Sequence, residues 1–254
     1  MKLILPRLCV MFAVLAGVFP PLPKTCLEVH AAEPPQIRML LVTGGHGFET
    51  NRFLNFFTSN PVLTVQAVAH PNAHSWFKAD KAGQYDVIVL YDMWQDISEE
   101  AKKDFLDRLK EGKGLVALHH SLASYQKWDE YAKVIGGKFR LEKQTQDGVE
   151  RPASTFKHDV KIPVKVIRPP HPATAGLKDF EIQDETYGRF EVAPSSIPLL
   201  ATDEPTSGRT ICWATSYGMA KVAYIQLGHD HVAWDNPNYR RLVMHAIRWT
   251  VGQR

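Results

Sequence analysis

The sequence predicts an α/β protein with a mainly parallel sheet that is covered by helices on both faces. Three observations favour this fold. Short apolar segments alternate with amphipathic segments of helical period along most of the chain. The apolar segments are continuous, as residues 85–91 and 114–118 show, whereas strands with one exposed face alternate apolar and polar residues. The chain has 254 residues, 44% of them hydrophobic, which suffices for one large domain with a sizeable core.

The predicted elements follow one another in the order expected for such a sheet. Ser98 is typical of a helix N-cap, because Glu99 and Glu100 occupy the first turn and Gly112 stops the same segment. An Asn-Pro pair leads into the last helix. The predicted strands cover residues 38–43, 62–69, 85–91, 114–118, 198–201, 210–215 and 221–227, and the predicted helices cover residues 49–60, 98–111, 125–135 and 238–251.

Residues 138–195 differ from the rest of the chain. They are polar and interrupted by prolines, with one alternating stretch at residues 160–167. We expect this polar insertion to consist of long loops and short strands that elaborate the same domain.

The first residues have the pattern of a secretory signal peptide, which we assign to residues 1–31. Lys2 and Arg7 form a basic start, residues 8–19 are apolar, and small residues at 29–32 provide a cleavage point. The apolar run is shorter than the roughly 20 residues that a membrane span needs. The sequence therefore predicts an exported, periplasmic or secreted protein; the alternative is an uncleaved anchor.

Removal of this segment changes the composition of the chain. It takes away three basic residues and one acidic residue, so the formal net charge falls from +3 to +1. Such a mild charge, without a run of basic residues, does not predict a nucleic-acid partner. Cys212 is then the one remaining cysteine, and it lies in an apolar strand where a packed thiol is the expected role.

Histidines follow several of the predicted strands. In an open parallel sheet, ligands bind at the carboxyl ends of the strands, so these side chains are predicted to share a site. The alternative is that each histidine makes only local hydrogen bonds. The side chains concerned are His46, His70, His119, His120, His229 and His231, with Asp92 and Asp230 among them.

Imidazole at neutral pH suits metal ligation and proton transfer. His119 and His120 are adjacent and would point to opposite sides of a strand, and we favour His120 as the one in the cleft. The sequence contains no HExxH motif or paired cysteines, so a zinc ion or similar cation held by His46, His120 and His229 stays a hypothesis.

Several other chemistries are disfavoured. Residues 45–50 match only half of a G-x-G-x-x-G motif, and neither a phosphate-binding P-loop nor a G-x-S-x-G elbow is present. Asp184 and Glu185, beside Tyr187, are compatible with a glycosidase-like carboxylate pair, although acidic residues in a polar insertion are more often solvated.

Taken together, five motifs resemble the trehalose-utilisation (ThuA-like) family, over residues 38–249 and within a domain that we place at 36–252. The motifs are Val42-Thr43-Gly44-Gly45-His46-Gly47-Phe48-Glu49, Leu118-His119-His120-Ser121, Asp184-Glu185-Thr186-Tyr187-Gly188, Tyr224-Ile225-Gln226-Leu227-Gly228-His229-Asp230 and Asn236-Pro237-Asn238-Tyr239-Arg240-Arg241. The resemblance implies a flavodoxin-like three-layer sandwich similar to class I glutamine amidotransferases. Those enzymes carry a cysteine at the turn after a central strand, and residues 118–121 have none, so amidotransfer through a thioester is not expected.

The resemblance also implies a carbohydrate partner, either trehalose or a related keto-sugar. Our first hypothesis is an exported enzyme that acts by acid–base chemistry, with metal assistance as an option. His46, His120 and His229 would be ligands or proton-transfer groups, Glu185 an acid or base, and Tyr187 and Asp230 orienting groups. The second hypothesis is a non-catalytic carbohydrate-binding module that stacks sugars on tryptophans such as Trp94 and Trp128. The histidine cluster distinguishes the two, because a binding module has little use for it.

Overall fold

A computed structural model of the protein describes residues 36–146, 148–167, 169 and 171–253; the predicted signal peptide lies outside the described residues. The helices are α1 (Thr50–Thr58), α2 (Glu99–Lys110), α3 (Asp129–Ile135), α4 (His231–Trp234) and α5 (Pro237–Thr250). The strands are β1 (Ile37–Gly44), β2 (Leu63–Ala69), β3 (Val87–Asp92), β4 (Gly114–Leu118), β5 (Gly137–Lys138), β6 (Gln144–Gln146), β7 (Val149–Arg151), β8 (Thr155–Val166), β9 (Phe180–Gly188), β10 (Glu191–Val192), β11 (Ile197–Ala201), β12 (Thr210–Tyr217) and β13 (Ala220–Ile225).

A nine-stranded sheet with the order β2-β1-β3-β4-β13-β12-β11-β8-β9 forms the centre of the molecule. The strands from β2 to β13 in this order are parallel, and the remaining pairs are antiparallel. The parallel part has the strand order of flavodoxin-like folds, in which ligands bind outside the carboxyl ends of the strands near β1 and β3. The predicted fold class is confirmed.

Helices cover both faces of this sheet. In β1, Met39 and Leu41 pack into a core with residues of α1, α4 and α5, whereas Leu40 and Val42 pack into a second core with residues of α2 and α3. Consecutive apolar residues of a strand are thus buried on opposite faces of the sheet. This arrangement gives the three layers that the continuous apolar segments predicted. Among the described residues, none of the helices combines the length and the apolar composition that a membrane span requires.

The third predicted helix was wrong in its first part. Residues 125–135 were expected to be helical, but α3 begins only at Asp129. The chain after β4 instead forms a 3-10 helix, His119–Ala123, and Tyr125 has a positive φ of 49° that no right-handed helix allows. Residues 125–128 form a separate turn, in which the N–H of Trp128 donates to the carbonyl oxygen of Tyr125, and α3 follows it.

The polar insertion also differs from the expectation of short strands. Strands β8 and β9 contain 12 and 9 residues, form a long hairpin and extend the main sheet at its edge. The signal in the sequence was weak because only the second half of β8 buries alternate residues, from Val160 to Val166, while its first half is exposed. This hairpin carries Glu185, and it reaches the carboxyl end of the parallel strands.

Candidate histidine and carboxylate centre

Three side chains from separate elements meet at the carboxyl end of the sheet. His119 is the first residue after β4, His229 follows β13, and Glu185 lies on β9. The Nε2 atom of His119 lies 3.0 Å from a Glu185 carboxylate oxygen and 3.2 Å from the Nδ1 atom of His229. The same carboxylate oxygen is 3.3 Å from His229 Nδ1. The three atoms therefore form a nearly equilateral triangle.

This triangle has the dimensions of a metal site. Donors that hold zinc tetrahedrally with bonds of about 2.0–2.1 Å are separated from one another by roughly 3.3 Å. Two imidazoles and one carboxylate are also a donor set found in catalytic zinc centres, where a fourth position is left for water or substrate. Both the spacing and the chemistry of His119, Glu185 and His229 fit a divalent cation.

The hydrogen bonds of His119 support the same interpretation. Its Nδ1 atom is 2.6 Å from the carbonyl oxygen of Gln226, so Nδ1 carries a proton and donates it there. In the neutral ring Nε2 is then unprotonated, and the Tyr187 hydroxyl, 2.9 Å away, donates to it. The Glu185 oxygen is also an acceptor, so its 3.0 Å contact with Nε2 is favourable only if a second proton or a cation lies between them.

The charges of the centre are strongly coupled. Glu185 is only 5% exposed, and burial alone would raise its pKa. The contacts with the imidazoles of His119 and His229 outweigh burial and hold the pKa of this carboxyl well below its usual range, so it is ionised at neutral pH. The hydrogen bond with Glu185 in turn raises the pKa of His229.

Asp184 holds the loop that carries His229. Its side chain is buried and accepts hydrogen bonds from the backbone N–H groups of Gly228 and His229, at 2.7 and 3.0 Å. Gly228 has a φ of 117° and packs against the ring of Tyr239, so a side chain would not fit there. Asp184 and Glu185 are neighbours in a strand and point to opposite faces, so they do not form a glycosidase-like pair.

A cavity of about 250 Å³ lies beside the triangle. Both ring nitrogens of His120 are buried and have no hydrogen-bond partner among the described residues. Burial, followed by the charges of His119 and His46, lowers the pKa of His120 well below its usual value, so this ring is neutral. The cavity is lined by His46, Met93, His120, Ala123, Phe139, Leu141, Phe156, His158, Glu185 and Tyr187.

The candidate residues from the sequence fall into two groups. Glu185, Tyr187 and His229 belong to the triangle or contact it, and the rings of His46 and His120 lie 4.6 Å apart against the cavity. Asp230 lies outside the triangle: its side chain caps α4 by accepting from the backbone N–H groups of residues 232 and 233.

Two of the remaining predicted histidines are engaged elsewhere. His231 contacts Glu49 at 2.6 Å, and His70 pairs with Asp92 in the interior. Of the expected ligands His46, His120 and His229, only His229 belongs to the set of donors that meet.

Sequence reasoning missed two residues of this centre. His120 was favoured over His119, but His119 is the one that reaches Glu185, because the 3-10 turn after β4 directs its ring towards β9 and β13. His158, on β8, also approaches Glu185, with its Nδ1 atom 3.4 Å from the second carboxylate oxygen. No pattern in the sequence indicates His158, because it lies in the polar insertion, for which long loops and short strands are expected.

Fold and site define a flavodoxin-like α/β protein with a histidine–carboxylate centre at the carboxyl edge of its parallel strands. The chain belongs to the ThuA family, described as trehalose utilisation, whose family model matches residues 36–250. This membership gives the protein a general sugar-related role. The search of curated proteins gave no match.

Solved structures share the fold. A ThuA-like protein from Parabacteroides merdae is 21% identical, with a TM-score of 0.70 over 85% of this chain and 90% of its own. A ThuA-like protein from Bacteroides uniformis is 18% identical, with a TM-score of 0.63 over 88% and 94%. A cytoplasmic protein from Salmonella typhimurium is 14% identical, with a TM-score of 0.55 over 83% and 98%. At these identities the likeness supports the fold alone.

Proposed function

We propose that this protein is a metal-dependent enzyme that moves a proton next to the carbonyl group of a keto-sugar related to trehalose. The observation that carries the proposal is the triangle of His119, Glu185 and His229, whose edges of 3.0 to 3.3 Å fit a divalent cation. The family supports the sugar, and the cavity beside the triangle provides space for it. A non-catalytic sugar-binding module would not need such a set of donors.

The side chains around the cavity have different roles in the proposed reaction. A divalent cation bound at the triangle would polarise a substrate carbonyl. The Gln226 carbonyl holds the His119 ring in the tautomer that leaves Nε2 unprotonated, which is the usual second-sphere arrangement of metal-binding histidines. His120 borders the cavity with unpartnered ring nitrogens and is placed to accept the proton from the carbon beside that carbonyl. The electron pair of the broken C–H bond passes to the carbonyl oxygen.

The first test concerns the metal. Elemental analysis of the purified protein, after exposure to zinc, manganese or cobalt and removal of the excess, is expected to show one bound ion per chain. His119→Gln and Glu185→Gln should lose it, because each removes one corner of the triangle. His231→Gln is the matched control, since His231 lies at the same edge of the sheet but contacts Glu49. Equal metal content in all four proteins would contradict the assignment.

The second test concerns the proton. In D₂O the metal-loaded enzyme is expected to exchange the hydrogen beside the carbonyl of a keto-disaccharide for deuterium, followed by proton NMR. His120→Ala should slow this exchange by about 10²–10⁴-fold, the usual contribution of a general base, while its metal content stays that of the wild type. An enzyme that binds the sugar without exchanging this hydrogen would show that the proposed reaction is wrong.

We further propose that the protein is exported and that residues 1–31 are removed. The support is the basic and apolar pattern of the N-terminal sequence. The similar Salmonella protein is described as cytoplasmic, so export would place this chain in a different compartment from that protein.

A further inference from the structure

Strand β8 changes face in its middle, at His158 and Asp159. Lys157 pairs with Thr186, but the next pair is Val160 with Asp184, so two residues of β8 lie opposite the single residue Glu185. This is a β-bulge, a feature that is over-represented beside active sites because it redirects side chains. Asp159 has a positive φ of 56°, the left-handed conformation that the second residue of the bulge adopts here.

The bulge reverses which side chains face the substrate cavity. In an antiparallel pair, directly opposed residues lie on the same face of the sheet. Phe156 is paired with Tyr187 and therefore shares its face, whereas Val160 is paired with Asp184 on the opposite face. Without the extra residue, Phe156 and Val160 would share one face, since they are four positions apart.

The two faces belong to different parts of the molecule. Val160 is buried in the apolar core of the opposite face of the sheet, while Phe156 and His158 line the cavity with Glu185 and Tyr187. The second half of β8 thus fills the core, and its first half borders the site. One additional residue is enough to give the strand both roles.

The two redirected side chains form an outer wall of the cavity. Phe156 is 61% exposed, which is unusual for a large apolar residue, and its ring lies 5.3 Å from the ring of His158. The His158 ring is 4.7 Å from that of His229, and its side chain is half-exposed. An apolar ring face next to a polar imidazole matches a pyranose, which has apolar C–H faces and hydroxyl groups around its edge.

We propose that the bulge at His158–Asp159 builds the sugar-recognition wall of this enzyme, in which Phe156 stacks on a pyranose ring and His158 hydrogen-bonds one of its hydroxyls. This inference rests on the proposed function. In it Asp159 is a positioning residue, whereas Phe156 and His158 touch the substrate.

The experiment measures KM and kcat for a keto-disaccharide together with the dissociation constant of the unreactive parent disaccharide by calorimetry. Phe156→Ala is expected to raise both KM and the dissociation constant about tenfold, the size expected for the lost contact of one aromatic face, with kcat changed less. His158→Ala should weaken binding in the same way. Met219→Ala is the control, because Met219 is also highly exposed but lies in the turn between β12 and β13.

Variants at Asp159 test the bulge itself. Asp159→Gly and Asp159→Asn retain residue types that accept a positive φ, so both should bind sugar as the wild type does. Asp159→Val disfavours the bulge, because a β-branched residue rarely adopts that conformation, and it should weaken binding about as much as Phe156→Ala. Metal content and the thermal midpoint of unfolding check that each variant keeps the triangle and the fold.

The possible results separate this inference from the proposed function. If the wild type binds the sugar and Phe156→Ala, His158→Ala and Asp159→Val bind it equally well, the wall is refuted and the enzyme proposal stands. If Phe156→Ala changes only the oligomeric state, the exposed ring is an interface between copies of the chain and the inference is wrong. If the wild type binds metal but no sugar, both proposals fail.

Discussion

At the scale of single residues, Asp184 is not part of the triangle, but it holds the loop that carries His229. Replacement by Asn keeps the shape but turns one acceptor oxygen into a donor that faces backbone N–H groups. Asp184→Asn should therefore lower the free energy of unfolding by about 1–3 kcal/mol and weaken metal binding about 10–100-fold, the usual effect of losing an outer-sphere partner. Urea unfolding and metal titration measure the two effects. Unchanged metal affinity would show that His229 is positioned by other contacts.

His74 makes the free energy of unfolding depend on pH. Its Nε2 atom lies 3.2 Å from the Tyr125 hydroxyl, and burial, with a smaller effect of His70, lowers its pKa from 6.5 to about 4. Between pH 6.5 and pH 4, His74 is protonated in the unfolded chain but largely neutral in the folded one. The free energy of unfolding therefore decreases as the pH falls through this range. The unfolding free energy of His74→Gln is expected to decrease less than that of the wild type between pH 6.5 and pH 4, as measured by urea titration. Parallel curves would rule out this contribution.

At the scale of elements, α2 is the clearest case of a helix whose first residue the sequence predicts. The Ser98 side chain accepts a hydrogen bond from the N–H of Ala101 at 3.1 Å, as the Ser-Glu-Glu pattern predicted. Ser98→Ala should lower the free energy of unfolding by about 1 kcal/mol, whereas Ser98→Asp should leave it near the wild-type value. A loss as large for Asp as for Ala would mean that the cap is not what stabilises this end of α2. Thermal unfolding of the three proteins provides the comparison.

The elements also show where sequence reasoning succeeds and where it fails. Strands β1, β3 and β4 were predictable, because continuous apolar residues have no other favourable place than a sheet buried on both faces. The alternating residues 160–167 indicated only part of β8, because residues 155–159 before and in its bulge are all exposed and carry no period of buried residues.

The position of the candidate site was predictable, but the identity of the residues that meet there was not. That histidines would gather at the carboxyl edge follows from the strand order, and the structure brings His46, His119, His120 and His229 together there. Which of them meet Glu185 depends on a 3-10 turn after β4, a conformation that a local pattern does not encode.

At the scale of the whole molecule, export is the property that an experiment can decide directly. When the full chain is expressed in a Gram-negative host, the mature protein should be recovered from the periplasmic fraction. Its N-terminus should lie near residue 32, as read by intact-mass spectrometry, because the predicted signal peptide is removed on translocation. Substituting Lys2 and Arg7 by Glu should retain the protein in the cytoplasm with an uncleaved N-terminus. Wild-type protein found uncleaved in the cytoplasm would contradict export.

The contact that orients His119 has an evolutionary consequence. Its acceptor is the main-chain carbonyl of Gln226, an atom that every amino acid possesses. No point substitution at position 226 deletes that acceptor, so the His119 ring keeps its tautomer whichever side chain the fold accepts there. Mutations can remove the donors around the cavity one at a time, but the support beneath His119 is lost only if the backbone itself moves. This part of the site is therefore robust to mutation, and family members that differ widely in sequence are expected to retain it.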